Sequence, residues 1–461
     1  MLKFNPGYNV FDSDSYAVHL EDPENPNLFR DIFPYSAVPR IGFNHRLVPM
    51  RMPSDIWITD TTFRDGQQSM PPYTVKQVVD LFKMLHRLGG PKGVIKQAEF
   101  FLYTKKDQEA IDKVESLGYK YPEVTGWIRA HKHDLKLARE LGLKETGILT
   151  SVSDYHIFLK LKRTRKQAME DYLRVVRDAL EAGITPRCHF EDATRADFYG
   201  FVVPFAHELM KLAEESKSVI KIRVCDTLGL GVPYPGVAMP RSVPGLIYGL
   251  AYYAGVPCEW MEWHGHNDLN LVTANAVTAW LYGCSAANGT MLGVGERTGN
   301  PPMEGLIMSY LQLRGNDAKI DTTVISEIAE YFEKELHFKI PANQPLVGRD
   351  FNMTRAGIHA DGLLKNEEIY NVFDTSKLLN RPVSIALSDK SGLAGVALWI
   401  HNKIGRGAAS LTKEHPGVIK IHEWLMAQYG EGRTTLISDK EMLTQVKTHL
   451  ADWVKESGFE L

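Results

Sequence analysis

From residue 55 onward, short β-rich runs alternate with longer amphipathic ones, eight times before residue 320. No other feature of the chain restricts its fold so strongly. Strand-then-helix repetition demands parallel strands joined by crossover helices. The strands are predicted at 56–60, 94–100, 123–128, 146–150, 185–190, 220–226, 259–264 and 285–290. Their helices are predicted at 74–90, 106–117, 131–141, 165–182, 196–215, 241–254, 270–282 and 304–314. In the first helix Val78, Leu81, Phe82, Leu85 and Leu88 form one apolar stripe, and Thr74 and Gln77 have capping-box spacing. Eight such units in about 260 residues have the size of a closed (β/α)8 barrel. Even spacing favours closure over a doubly wound open sheet.

The flanks differ. The first 54 residues are rich in Pro, Asn and Asp without a long period. They predict an extended arm lying over the body or over a neighbouring subunit. After 320 the rhythm stops, and helices are predicted at 322–336, 416–429 and 439–456, the last opened by Ser438 and Glu441. A linker is expected near 340–355. The expected division is an arm 1–54, a catalytic barrel 55–320, a linker subdomain 321–395 and a helical region 396–461. With 44% hydrophobic and 24% charged residues, the chain has ample core to fold. A net charge of -3 offers no basic field for nucleic acid. No apolar run is long enough for a membrane span, and the N-terminus lacks the apolar run of a signal peptide. Four cysteines (Cys188, Cys225, Cys258, Cys284) without a CxxC pair fit a reducing, cytoplasmic setting.

In such a barrel the chemistry gathers at the C-terminal ends of the strands. There the sequence places DTTFRDGQQ with Arg64 and Asp65, then Glu99, Glu191, Asp226-Thr227, His264-x-His266 and the segment GVGERTGN. Residues i and i+2 of a strand share a face, so both imidazoles point into the barrel mouth. With one carboxylate, Asp60 or Asp65, they make an open site for a divalent metal that also binds substrate. Arg64 would then face charge developing on a substrate oxygen. The plainer alternatives are two ordinary strand-end histidines and an Arg-Asp surface pair. GVGERTGN does not fit a dinucleotide fingerprint, and its glycines serve either tight packing or a phosphate contact. Asn288-Gly289-Thr290 has glycosylation spacing, which means nothing on a buried strand.

Together DTTFRDGQQ, HGHNDLNLVTAN and GERTGN resemble the DRE-TIM metallolyase superfamily over about residues 55 to 395. Within it they look like the Claisen-condensing branch of isopropylmalate, homocitrate and Re-type citrate synthases. The resemblance implies a TIM barrel that joins the acyl group of acetyl-CoA to a 2-oxo acid and then hydrolyses the thioester. It implies Asp65, His264 and His266 as metal ligands, with Asn300 at or near the metal. It implies Arg64 as the arginine polarising the oxo group, and Gln68, Glu99, Arg129, Glu191 and Thr227 around the substrate. RAGIHADGLLKNEEIY is similar to the family's linker segment. There His359 is the first candidate for the general base, assisted by Tyr370 and Glu191. In a homodimer His359 and Tyr370 would complete the neighbouring site. The implied cofactor is a divalent metal, Mn2+ or Mg2+ ahead of Co2+ or Zn2+, with acetyl-CoA as co-substrate.

From the length of the stretch after 395, the leucine-binding regulatory domain of full-length isopropylmalate synthases is not expected here. The arm and SVSDYHIFLKLKRTR resemble the Re-type group most. Arg129, His156 and Arg195 would suit the second carboxylate of a dicarboxylic oxo acid, although each is read equally well as a surface ion pair. Conversion of oxaloacetate to citrate is therefore expected, ahead of homocitrate or 2-isopropylmalate synthesis. A lyase or carboxyltransferase on the same barrel is the rival. The carboxyltransferase would need a carboxylated lysine beside the metal, for which the sequence offers no clear candidate. A scaffold without activity would not need Arg64, Asp65, His264 and His266 intact.

Overall fold

The computed structural model describes residues 3–5, 10–12, 17–35, 41–404 and 411–457. The chain divides into two compact units, Met1–Ile320 and Asp321–Leu461.

In the first unit eight parallel strands close into a barrel in the order β8-β1-β2-β3-β4-β5-β6-β7. They are β1 (Trp57–Asp60), β2 (Ile95–Phe100), β3 (Glu123–Arg129), β4 (Glu145–Ser151), β5 (Thr185–Glu191), β6 (Lys221–Asp226), β7 (Met261–Gly265) and β8 (Ala286–Gly289). Closure is made by Ala286 to Gly289 pairing with Trp57 to Asp60. The surrounding helices are α1 (Val75–Gly89), α2 (Lys105–Glu115), α3 (Lys132–Glu140), α4 (Arg165–Glu181), α5 (Val203–Ser216), α6 (Val243–Tyr253), α7 (Val272–Leu281) and α8 (Met303–Arg314). The TIM barrel expected from the repetition is thus the observed fold. In α1 the Thr74–Gln77 capping box is present, and Val78, Leu81, Phe82, Leu85 and Leu88 are buried.

Some boundaries moved for local reasons. The strand expected from 259 starts at Met261, because Cys258–Trp260 forms a 3-10 turn. The helix expected from 196 begins with a π-helical turn, Phe198–Val202, and α5 follows with a proline in its first turn.

Side chains alternate along each strand. Ile58, Phe100, Phe190 and Val224 fill the layer beneath the helices. The opposite face is polar. Gln97, Glu99, Thr125, Glu145, Arg187, His189, Arg223 and Glu262 are all buried inside the barrel. Arg187 donates to Glu99 and Glu145 at 2.8 Å each, and Arg223 donates to Glu99 and Glu262 at 2.9 Å each. Buried charges persist only when paired and hydrogen-bonded, as these are.

The arm crosses the rim of its own barrel. Glu21 N–H donates to Gly200 O at 3.0 Å, and Asn27 N–H to Asp154 Oδ2 at 2.8 Å. Tyr155 O–H donates to Leu28 O at 2.6 Å, and Phe43 makes an antiparallel bridge with Val237. The parts of the predicted arm at 1–2, 6–9, 13–16 and 36–40 lie outside the described residues, as do 405–410 and 458–461 of the predicted helical region.

The second unit contains α9 (Val324–Lys334), α10 (Gly357–Lys365), α11 (Thr375–Leu379), α12 (Leu393–Ile404), α13 (Pro416–Gly430), α14 (Asp439–His449) and α15 (Ala451–Ser457). Its core is α12, where Val396, Ala397, Leu398, Trp399 and Ile400 pack with Val418, Ile421, Leu425, Met442 and Val446. The single helix expected over 439–456 is broken at Leu450, whose φ of -135° leaves the helical region.

Candidate metal centre

Just beyond β1 the backbone folds back, with Arg64 N–H and Gly66 N–H both donating to Thr61 O at 3.1 Å. This turn aims Asp65 into the barrel mouth. On β7 and the residue after it, His264 and His266 share one face by alternation. Their Nε2 atoms each lie 3.5 Å from Asp65 Oδ2. Among the described residues these three form the one cluster of His, Cys, Asp and Glu side chains spaced to hold a metal ion. All three are buried.

The residues fit a divalent cation. Ligand atoms around an ion at about 2.1 Å stand about 3.4 Å apart. Burial pushes His264 down to about 3 and lowers His266 as well, which keeps both imidazoles neutral. Burial alone would raise Asp65, but Arg64, His264, His266 and Asn300 bring it below the usual carboxylate range. Two neutral nitrogens and one carboxylate are a divalent donor set. Two buried polar atoms beside them, His266 Nδ1 and Asn300 Oδ1, have no hydrogen-bond partner. The other carboxylate considered, Asp60, is not part of the cluster. It points to the opposite side of β1 and accepts from Thr62 Oγ1 at 2.6 Å and Thr62 N–H at 3.0 Å. Burial raises it to about 7.

Asn300 donates from Nδ2 to Asp65 Oδ2 at 2.9 Å. Its place depends on GVGERTGN. A Cβ on Gly295 would lie 1.8 Å from Asn300 Oδ1, and one on Gly299 (φ +88°) would lie 2.0 Å from Gly293 O. These glycines serve close packing.

Arg64 donates from Nε to Glu99 Oε1 at 2.9 Å, and its Nη1 is 3.5 Å from Asp65 Oδ1. The Trp127 ring lies 5.5 Å from its guanidinium carbon. Glu99 is engaged by Arg64, Arg187, Arg223 and Thr61. Burial opposes its charge, yet Arg223, Arg64, His189 and Arg187 hold it well below the usual range. It anchors Arg64 from below.

At the β4–β5 rim, Glu191 accepts from Ser151 Oγ and lies 3.0 Å from His156 Nδ1 and 3.6 Å from Lys160 Nζ. Against the effect of burial, His156, Ser151 and Lys160 hold it at about 2. A carboxylate so stabilised is a weak base. Asp192 beside it has φ +66°, accepts from Ser153 Oγ at 2.5 Å and binds Arg195 Nη2 at 2.8 Å. Thr227 Oγ1 accepts from Asp192 N–H at 2.8 Å.

The remaining expected residues are placed differently. Arg129 turns its fork onto Asp134 at 2.7 and 3.0 Å. Arg195 stacks 3.9 Å from the Tyr155 ring. Gln68 is exposed at the end of the turn Gly66–Gln68. His359 and Tyr370 belong to the second unit, where their rings pack at a tilt of 42° with centroids 4.4 Å apart. Trp127, Arg187, Arg223 and Asn288 were not singled out for this site. For Arg187 a signal exists in the polar alternation Arg187-x-His189-x-Glu191, whereas Trp127, Arg223 and Asn288 lie on other strands outside that pattern.

Comparison with known proteins adds lineage to this geometry. The HMGL-like family profile matches residues 55–332. The chain is 56% identical over 456 residues to a citrate (Re)-synthase of Syntrophus aciditrophicus, covering 98% of this chain and 72% of the relative. It is 55% identical over 429 residues to a citrate (Re)-synthase of Clostridium kluyveri, covering 93% and 95%. Among solved structures, hydroxymethylglutaryl-CoA lyase from Pseudomonas aeruginosa aligns with a TM-score of 0.50 at 17% identity, covering 62% of this chain and 95% of that one. At that identity the structural match speaks for the fold.

Proposed function

Since the chain belongs to the HMGL-like family, in its Claisen-condensing branch, we propose that it joins acetyl-CoA to oxaloacetate and hydrolyses the adduct to citrate and free CoA. The observation that carries this reading is near-complete alignment with two citrate (Re)-synthases, on a barrel whose Arg64, Asp65, His264, His266 and Asn300 converge.

Asp65, His264 and His266 would hold a divalent metal, for which Mn2+ or Mg2+ suits an oxygen-rich substrate. When bound, it supplies Lewis acidity at the keto oxygen. Arg64 presents its outer nitrogens to the oxygen where charge develops, while Glu99 holds its Nε side. Glu191 stays ionised and orients His156 at the rim. The base that removes the acetyl methyl proton is assigned to His359, with Tyr370 assisting, delivered from the neighbouring subunit of a homodimer. The resulting carbon adds to the ketone, the oxygen is protonated, and water cleaves the thioester. Gln68, Thr227 and Arg129 are assigned to substrate contact on the resemblance stated above. The division into arm, barrel, linker subdomain and helical region belongs to the same reading. Among the described residues no helix is long and apolar enough to cross a membrane. With all four cysteines free, a reducing cytoplasm is the proposed setting.

The test is release of CoA thiol from acetyl-CoA with Mn2+ and each of oxaloacetate, 2-oxoglutarate, 2-oxoisovalerate and pyruvate. Oxaloacetate alone should give thiol, and Asp65→Asn should give none while its circular dichroism is unchanged. Turnover of another oxo acid instead would overturn the substrate assignment, and thiol from none would overturn the condensation.

A further inference from the structure

We infer that Asn288 is a positioning residue that decides which nitrogen of His264 faces the metal site, and that a chain of buried groups fixes the direction of its carboxamide. The inference rests on the metal-binding reading of Asp65, His264 and His266, and not on which oxo acid is used.

A histidine that ligates a metal through one ring nitrogen carries its proton on the other. In His264, Nε2 faces Asp65, and Nδ1 lies 2.7 Å from Asn288 Oδ1. Nδ1 must therefore donate to a carbonyl oxygen. A carboxamide turned half a revolution would present NH2 instead, and its orientation has to be argued from its other partners. The amide nitrogen of Asn288 lies 2.9 Å from Thr59 Oγ1 and 3.4 Å from the Thr59 carbonyl oxygen. The carbonyl oxygen can only accept. The Thr59 hydroxyl has one proton, and it goes to Glu262 Oε1. Glu262 is held between two guanidinium groups. Arg223 Nη2 donates to Oε1 at 2.9 Å, and Arg187 Nε is 3.3 Å from Oε2. Each link thus has one direction. Glu262 accepts from Thr59, Thr59 accepts from Asn288 N–H, Asn288 C=O accepts from His264 Nδ1–H, and Nε2 keeps its lone pair. The reversed amide would set its oxygen against the Thr59 carbonyl and leave Nε2–H pointing at the metal position.

Asn288, Thr59 and Glu262 are all buried. The same network continues through Arg223 to Glu99 and ends at Arg64 Nε, with 2.9 Å at each of those donations. One run of hydrogen bonds inside the barrel therefore starts at a metal-site histidine and ends at the arginine proposed to face the keto oxygen.

The experiment measures Mn2+ binding to the full-length protein by the electron paramagnetic resonance signal of free Mn2+, without substrate. Asn288→Leu should weaken Mn2+ affinity about 10- to 100-fold. Thr59→Val keeps the shape but removes the hydroxyl that orients the amide, and it should weaken affinity in the same direction. Asn288→Asp keeps an acceptor for His264 Nδ1–H but sets its second oxygen against the two Thr59 oxygens that the amide nitrogen now meets, so it should recover only part of the affinity that Asn288→Leu loses. Melting of the metal-free proteins separates lost folding from lost ligation. Wild-type affinity in folded Asn288→Leu and Thr59→Val proteins would overturn the inference. If Asn288→Leu does not fold, Thr59→Val against wild type decides alone. Failure of wild type to bind Mn2+ would overturn it too, together with the metal reading. Tight Mn2+ binding without thiol release from oxaloacetate would defeat the substrate reading and leave this one standing.

Discussion

A Cβ on Gly295 has nowhere to go. It would meet Asn300 Oδ1 at 1.8 Å and the Asn300 backbone nitrogen at 3.3 Å. Asn300 in turn holds Asp65 Oδ2, the oxygen that both histidines face. Gly295→Ala should displace Asn300, let Asp65 rotate, and reduce thiol release by about tenfold or more, as supporting partners of a metal site usually do. Thiol release and Mn2+ titration on the folded variant check this, and full activity would show that Asn300 is dispensable in this position. At this scale His264 and His266 were legible from i and i+2 spacing at a strand end taken together with a carboxylate near the end of the first strand. Spacing left Asp60 and Asp65 open, and the resemblance pointed to Asp65. Asp60 ends the first strand on its opposite side, and the turn after Thr61 brings Asp65 to the histidines.

Where α4 begins, three elements meet on one guanidinium. Arg165 binds Asp154 through Nε and Nη2 at 2.8 Å each, Asp197 at 2.9 Å, and the arm carbonyl of Glu21 at 3.3 Å. Asp154 also accepts from Asn27 N–H of the arm. Removing one partner of a buried pair costs about 3–5 kcal/mol. Asp154→Ala should lower denaturant stability by about 3 kcal/mol, and proteolysis within residues 17–35 should speed up. A loss below about 1 kcal/mol would mean that Asp197 alone satisfies Arg165. The next residues after Asp154 are Tyr155, which grips the arm, and His156, which grips Glu191. The arm is thereby tied to the rim of the site. Elements with a one-sided stripe were legible, such as α1. Helix α12 was not, because LAGVALWIHNKI is apolar on nearly every side and a buried helix has no polar face to mark its period.

The molecule as a whole joins a closed barrel to a second helical unit that carries His359 and Tyr370. If each site draws on two subunits, Asp65→Asn and His359→Ala chains should complement one another. Co-expression of the two inactive variants should recover about a quarter of wild-type thiol release, since half the dimers are mixed and each has one intact site. No recovery would place both residues in one subunit's site. The eight-unit barrel, the rim that bears the chemistry, and the pairing of two histidines with a carboxylate near the end of the first strand were all legible in the order of residues. These are periodic or local, and periodicity survives in one dimension. What stands behind the ligands emerges only in the closed barrel. Thr59, Asn288, Glu262, Arg223 and Glu99 sit on β1, β8, β7, β6 and β2, as much as 229 residues apart in a single hydrogen bond. Such partners meet because the sheet closes on itself, and hydrogen-bond direction is a property of the closed network that no linear pattern records.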